Sequence, residues 1–334
     1  MRKVLVTGTA GFIGYHLAEL LLAEGFIVHG FDAMTDYYDV TLKQARQARL
    51  QRTNAFTSTL ARLEDMDALT RAAADFQPDV IVHLAAQAGV RYSLENPRSY
   101  VDTNVTGTFN VLEVARQLAV KHLVFASTSS VYGGNSKMPF EETDKADQPL
   151  TIYAATKKAG EALAHSYAHL WGVPMTGVRF FTVYGPWGRP DMALFKFTRA
   201  ILDGQPIDIY NGGDMYRDFT YVEDLVRAIR LLIDAVPVKG QPVAANDSLS
   251  AVAPFRVVNI GNSDKVKLLD FIDALEQAIG IPAKRHYMEM QKGDVFATWA
   301  DSSLLKTLTG FSPATDYRTG VKRFVDWYRG YYQR

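Results

Sequence analysis

The sequence predicts an α/β chain: a doubly wound parallel sheet, then a smaller mixed α/β lobe. Three observations carry this. Short β-branched runs alternate with amphipathic stretches through the first half. A glycine-rich turn directly follows the first run. After about Gly185 the alternation weakens. Length agrees, since 334 residues suit two packed lobes at ~100–200 residues per domain.

The elements follow in order. Lys3–Thr7 is an apolar strand. Phe12–Glu24 has helical spacing, and Gly25 ends it. Ile27–Phe31 is a second strand, Leu63–Asp75 a helix, Val80–Leu84 a strand and Asn104–Leu118 a helix. His122–Ser127 is a strand, Tyr153–Trp171 a long helix and Pro174–Phe181 a strand. Such βαβ alternation buries both faces of a parallel sheet and puts the glycine turn at its carboxyl edge. In the second half, strand-like pieces (Ile207–Tyr210, Arg217–Val222, Phe255–Ile260) mix with helices (Val222–Ala235, Leu268–Ile279, Thr319–Tyr331). Residues 236–254 read as an exposed loop without chemistry.

Composition narrows the function. With 48% apolar and 22% charged residues, the chain is not mainly disordered. Lys+Arg and Asp+Glu both number 36, so no net charge draws it toward nucleic acid or an anionic membrane. The absence of cysteine excludes disulfides, thiol catalysis and zinc–thiolate sites. No apolar run reaches the ~18–20 residues of a membrane span. The opening MRKVLVTGTAGFIG reads as strand and turn, not a signal peptide. The expectation is a soluble, cytoplasmic protein. His165 and His169 have metal-ligand spacing, but no acid completes a set, so no metal is expected.

Gly8-Thr9-Ala10-Gly11-Phe12-Ile13-Gly14 has the physics of a dinucleotide turn. Gly8 permits the bend, Gly11 lets backbone approach a pyrophosphate, and Gly14 lets helix and strand pack closely. The helix N-terminus offers N–H groups to the phosphates. Alone, the pattern also fits a glycine turn without a ligand. Asp32 ends the second strand and can accept from both adenosine ribose hydroxyls. It repels a 2′-phosphate, which favours NAD over NADP. Its alternative is capping a turn.

Tyr153 and Lys157 lie four apart on one helical face. A free Tyr, with pKa ~10, is a poor base at neutral pH. A nearby ammonium and a cationic nicotinamide bring it toward working range. Lys157 can supply that charge and donate to the nicotinamide ribose, and Thr128 can share the reacting hydroxyl. Small residues Ala85 and Ala86 suit a flat cofactor ring. By itself Tyr-x-x-x-Lys also fits a surface pair.

Together the glycines, Asp32, the His83-Leu84-Ala85-Ala86 run, the Ser127–Ser130 run and Tyr153-x-x-x-Lys157 resemble the extended short-chain dehydrogenase/reductases over nearly the whole chain. Asp36-Tyr37-Tyr38-Asp39, Gly89-Val90-Arg91, Arg179–Pro186, Gly188–Met192 and Arg217–Tyr221 resemble the nucleotide-sugar epimerases, in particular those acting on UDP-glucuronate. The resemblance implies a Rossmann-type NAD-binding domain over residues 1–185, with part of the later chain returning to it. Residues 186–334 are then the nucleotide-sugar lobe. It implies C4 epimerisation of UDP-glucuronate to UDP-galacturonate through a 4-keto sugar. Tyr153 is the base, Thr128 its partner on the same oxygen, and Lys157 the third catalytic group.

The resemblance further implies cofactor contacts from Phe12, Ile13, Lys43, Leu60, Ala85, Ala86 and Asn104, and substrate contacts from Gly89, Arg91, Thr128 and Ser129. Thr182 and Arg189 meet the glucuronate carboxylate, Arg217 the diphosphate and Asp294 the uridine ribose; the alternatives are a solvated Arg189 paired with Asp191 and an Arg217 salt-bridged to Asp218 or a nearby acid. Ile207–Tyr210 flanks the uracil. Sugar 4,6-dehydratases carry Asp-Glu after the Thr, and decarboxylases a Glu before Val-Tyr-Gly. Here Ser129 and Ser130 stand instead, and elimination lacks its acid. Many relatives have Asp where Thr59 stands, and Asn where Ala33 stands, so no carboxylate–adenine contact is expected at Thr59. A homodimer through helices Asn104–Leu118 and Tyr153–Trp171 is implied. The alternatives are another UDP-sugar 4-epimerase, a UDP-glucuronate decarboxylase, or a non-catalytic NAD-sensing module.

Overall fold

The computed structural model describes residues 1–291 and 293–334. Six strands of the first half lie in one sheet: β1 (Lys3–Thr7), β2 (Ile27–Asp32), β3 (Phe56–Leu60), β4 (Val80–His83), β5 (His122–Thr128) and β6 (Met175–Phe180). A seventh strand, Phe255–Ile260, returns from the second half and pairs in parallel with β6. The order is Phe255–Ile260, β6, β5, β4, β1, β2, β3, all parallel. This is the expected doubly wound sheet. The order reverses between β1 and β4, and the crevice that such a reversal opens lies at the strands' carboxyl ends.

The central strands are buried along their whole length (Val80–His83 throughout, His122–Thr128 but for one residue). That is why they read as continuous apolar runs. Helix α1 (Phe12–Ala23) packs on one face with helix Val222–Leu232. Their buried Leu17, Leu21, Leu225, Ile229 and Leu232 share one core. On the other face, Leu112 and Ala115 of helix Thr108–Gln117 meet Ala164 and Ala168 of helix Ile152–Trp171. Gly25 follows α1 at φ +84, and Gly172 ends the long helix at φ +70, a left-handed conformation that suits glycine.

Several elements differ from expectation. Helix α2 (Val40–Leu50), β3 and helix Ala193–Leu202 escaped the periodicity reading. Helix α2 has few apolar residues, and its start is set by Asp39 accepting from Thr41 N. Strand β3, FTSTL, is a half-exposed edge. The stretch Val101–Gly107 is π-helical rather than α-helical. Arg217–Val222 resolves into strands Tyr216–Arg217 and Phe219–Tyr221 and the start of the next helix.

The second lobe is built from small strand pairs: Pro206–Tyr210 with Lys284–Met288, and Tyr216–Arg217 between Val266–Lys267 and Ala297–Thr298. An aromatic core holds them, with Phe219 stacked on Phe271 at 3.9 Å and Phe195 against Phe324 and Tyr328. His165 and His169 do not point toward a common ion. They bond Ser250 Oγ and the Val252 carbonyl, pinning the 236–254 loop to the long helix. Among the described residues no helix is long and apolar enough to cross a membrane.

Candidate active site

A cavity of about 960 Å³ opens at the carboxyl ends of the sheet strands and extends to second-lobe residues including Arg217 and Asp294. Its floor is the glycine turn. Gly8 sits at φ +83, where a Cβ would lie 2.9 Å from Ala85 N. A Cβ on Gly14 would lie 2.0 Å from the Gly8 carbonyl oxygen. The turn therefore closes against both β4's end and α1 only as glycine. No side chain caps α1, which leaves its first-turn N–H groups for an anion. Asp32 Oδ2 accepts from Ala10 N at 2.9 Å and Oδ1 from Met34 N at 2.7 Å. It does tie the turn together. A carboxylate has about four acceptor sites, so each oxygen keeps capacity for a ribose hydroxyl. The turn and Asp32 fit the pyrophosphate and ribose of NAD.

The catalytic set stands across from the turn. Buried His83 bridges Thr7 (2.8 Å) and Thr108 (3.1 Å), locking β1, β4 and helix Thr108–Gln117. The long helix is fixed beneath Tyr153 by a buried pair. Arg179 on β6 donates two bonds of 2.9 Å to Glu161, and Ser127 donates a third at 2.6 Å. Thr128, Tyr153 and Lys157 all reach the cavity. Burial pushes the Tyr153 phenol above its ordinary pKa, while a hydrogen bond with Thr128 and the charge of Arg189 pull it down. Arg189 thus adds a charge to the one the sequence expects from Lys157. Lys157 Nζ donates to the Ala126 carbonyl at 2.9 Å, and burial lowers it to about 8.

The sugar side is made of side chains paired with one another. Arg189 donates through Nε (3.0 Å) and Nη2 (2.5 Å) to Asp191. Tyr37 donates to the same carboxylate at 3.1 Å. Arg91, from the loop after β4, pairs with Asp294 of the second lobe at 3.1 Å and lies over Tyr210 at 4.7 Å. Arg217 donates to the carbonyls of Tyr216 and Phe296, and burial lowers its pKa.

Gly8, Gly11, Phe12, Ile13, Gly14, Asp32, Lys43, Ala85 and Ala86 line the cavity, as do Gly89, Thr128, Ser129, Tyr153, Lys157, Thr182, Arg189, Arg217 and Asp294. The segment Ile207–Tyr210, whose Ile207 and Ile209 are buried in the second-lobe core, and three single expected contacts lie outside this lining. Leu60 is 69% exposed at the end of β3; Ala61, Arg62, Leu63 and Glu64 line that part instead. Asn104 is buried and grips the Gln87 backbone (2.8 and 3.0 Å) and Thr156 (3.1 Å), so it shapes the wall from behind. Arg91 is held at the rim by Asp294. Thr59 bonds His29 at 3.0 Å. Sequence reasoning gave no role in the cavity to Gln87, Lys265 or Trp299. Lys265 lies over Tyr216 (4.3 Å) and Trp299 (4.7 Å), a placement no local pattern announces.

Residues 4–246 match the model of the NAD dependent epimerase/dehydratase family. The chain belongs to that family. It is 58% identical to a probable UDP-glucuronate 4-epimerase of Rhizobium meliloti, covering 99% of this chain and 98% of the relative. It is 45% identical to UDP-glucuronate 4-epimerase 1 of Arabidopsis thaliana, covering 99% of this chain and 77% of that protein. Among solved structures, UDP-glucuronic acid 4-epimerase of Bacillus cereus, in complex with UDP-glucuronic acid and NAD, superposes with a TM-score of 0.87. The identity is 32%, and the match covers 99% of this chain and 100% of that one.

Proposed function

We propose that this enzyme inverts C4 of UDP-glucuronate to give UDP-galacturonate, with NAD as its resident cofactor. The observation that carries this is one cavity shared by the glycine cradle, the Thr128–Tyr153–Lys157 group and Arg189. The names and ligands of the relatives agree with it.

Bound in the cradle, NAD supplies the acceptor and then the donor of hydride at C4. Tyr153 takes the C4 hydroxyl proton as the 4-keto sugar forms and returns it to the opposite face after the sugar has turned. Thr128 holds the same oxygen. The Arg189 charge, which already pulls the phenol down, supports its anionic form. Lys157, fixed by the Ala126 carbonyl, orients the nicotinamide ribose.

The wall's described carboxylates are Asp32, Glu64 and Asp294. Ser129 and Ser130 follow Thr128, so the wall offers no acid there to expel a hydroxyl or move a C5 proton. Arg189 and Thr182 would hold the uronate carboxylate. The 4-keto uronate is a β-keto acid that loses CO₂ readily, and a carboxylate with fixed orientation and paired charge resists that loss.

The test is incubation of the purified protein with UDP-glucuronate, with the nucleotide sugars resolved by anion exchange. UDP-galacturonate is the expected product. UDP-xylose or a 4-keto pentose would make it a decarboxylase, and no conversion with NAD still bound would make it a sensor.

We also propose a homodimer. Phe109, Leu170 and Trp171 on helices Thr108–Gln117 and Ile152–Trp171 are 43%, 64% and 48% exposed. Apolar surface of that kind favours a partner. Light scattering that returns the mass of one 37.2 kDa chain would contradict it.

A further inference from the structure

The segment Asp36-Tyr37-Tyr38-Asp39 takes no part in the proton chemistry above, yet both its tyrosines reach the loop that carries Arg189. Tyr37 does so through Asp191 (3.1 Å). Tyr38 does so through Arg46, whose Nη1 donates to Tyr38 Oη and to the Ala10 carbonyl (2.9 Å each). Arg46 Nη2 donates to the carbonyls of Trp187 (2.5 Å) and Gly188 (3.2 Å). That guanidinium is wholly buried and ties the glycine turn to the backbone just before Arg189.

A guanidinium has five N–H donors in a planar fork. Asp191 takes the Nε/Nη2 edge of Arg189. Beyond Asp191 and the neighbouring Tyr37 hydroxyl, no further protein acceptor meets this guanidinium among the described residues. The Nη1/Nη2 edge is therefore left to meet a second carboxylate in two bonds. Asp191 also offsets the positive charge, so recognition at this edge depends on direction more than on attraction. Asp191 in turn is steered by Tyr37. The Tyr37 ring packs 4.8 Å from Tyr92, and its hydroxyl fills the space beside Gly89. A Cβ on Gly89, at φ +108, would lie 2.6 Å from that oxygen. Burial and the Asp191 charge push the Tyr37 phenol up to about 12, so it stays a donor at working pH.

We propose that Tyr37 and Asp191 are positioning residues that aim the free edge of Arg189 at the uronate carboxylate. They thereby decide whether the 4-keto intermediate keeps its CO₂. The inference rests on the UDP-glucuronate assignment above. In the loss it guards against, the C5–C6 bond breaks and its electron pair enters the C4 carbonyl as an enolate. CO₂ leaves, and C5 takes a proton to give a UDP-4-keto-pentose.

The experiment compares unaltered protein, Tyr37→Phe and Asp191→Asn, all checked for bound NAD and melting temperature, on UDP-glucuronate. Initial rates give kcat and KM, and mass spectrometry gives the share of 4-keto-pentose. Losing a hydrogen bond to a charged group predicts a fall of about tenfold in kcat for Tyr37→Phe. The pentose share should rise and NAD content should not change. Asp191→Asn should lose more in kcat without a rise in KM, because the arginine charge is unmasked while its direction is lost. Unchanged kcat and pentose share in both variants would overturn the proposal. So would a rise in KM alone, which is loss of binding rather than of aim. If one variant folds poorly, the other decides. Failure of the unaltered protein to convert UDP-glucuronate at all would instead overturn the assignment beneath it.

Discussion

At the cofactor end the cavity is walled by backbone. Gly8, Gly11 and Gly14 let main chain approach main chain, and Asp32 is held by two peptide N–H groups. At the sugar end it is walled by charged side chains from distant segments: Arg189 with Asp191 and Tyr37, and Arg91 with Asp294. The first kind of wall is set by steric demands that only glycine meets, so it tolerates little change. The second is set by pairings, so it can be retuned without disturbing the first. A cofactor kept through the whole cycle needs the rigid end, and choosing among sugars needs the adjustable one.

Variants at the two ends should therefore fail differently. The largest effect is expected where the ends meet. Tyr153→Phe should lower kcat on UDP-glucuronate by about 10²–10⁴-fold, the range of a general acid–base group, while NAD co-purifies as before. Near-normal turnover would remove Tyr153 from its role. Next, Gly14→Ala drives a methyl to 2.0 Å from the Gly8 carbonyl oxygen. It should strip NAD from the purified protein and lower its melting temperature. Arg189→Ala should leave NAD content unchanged and cut kcat/KM for UDP-glucuronate about 10–100-fold, the worth of a hydrogen-bonded charge pair. If Arg189→Ala loses NAD, or Gly14→Ala keeps it, the contrast between the ends fails.

A smaller effect concerns pH. Burial raises Glu142, behind the cavity, from 4.5 to about 7. The folded state then holds this proton more tightly than the unfolded chain does. The sign follows: Glu142's contribution to stability is full below its unfolded pKa and is lost as pH rises through about 7. Melting temperatures recorded from pH 4 to 8 should show this decline. Glu142→Gln keeps an acceptor for Asn259 N, which Glu142 bonds at 2.8 Å, and should flatten it. An unaltered decline would mean another group is responsible.

The same division explains what the sequence reveals. The glycine turn, Asp32 and the Tyr153/Lys157 spacing are local patterns, and the structure brings all of them to one cavity. The alternation likewise foretells the parallel sheet. Helix α2 stays hidden because much of what it buries is polar (Lys43, Arg46, Gln47), and edge strand β3 because it buries little, so both carry weak apolar periodicity. At the sugar end the sequence names Arg189 and, two residues on, Asp191 as its alternative partner. It cannot show that Tyr37 completes the set, since they are 154 residues apart. Nor does a helical spacing reveal that Lys157 bonds a β5 carbonyl or that Arg189 adds its charge near Tyr153.

In the proposed reaction Tyr153 moves only the C4 hydroxyl proton while the carbon skeleton stays intact. Turnover of UDP-glucuronate in D₂O, followed by NMR and CO₂ trapping, tests it most directly. UDP-galacturonate with no deuterium at C4 or C5, and no CO₂, is the expected outcome. Deuterium on either carbon, or CO₂ released in step with turnover, would contradict it.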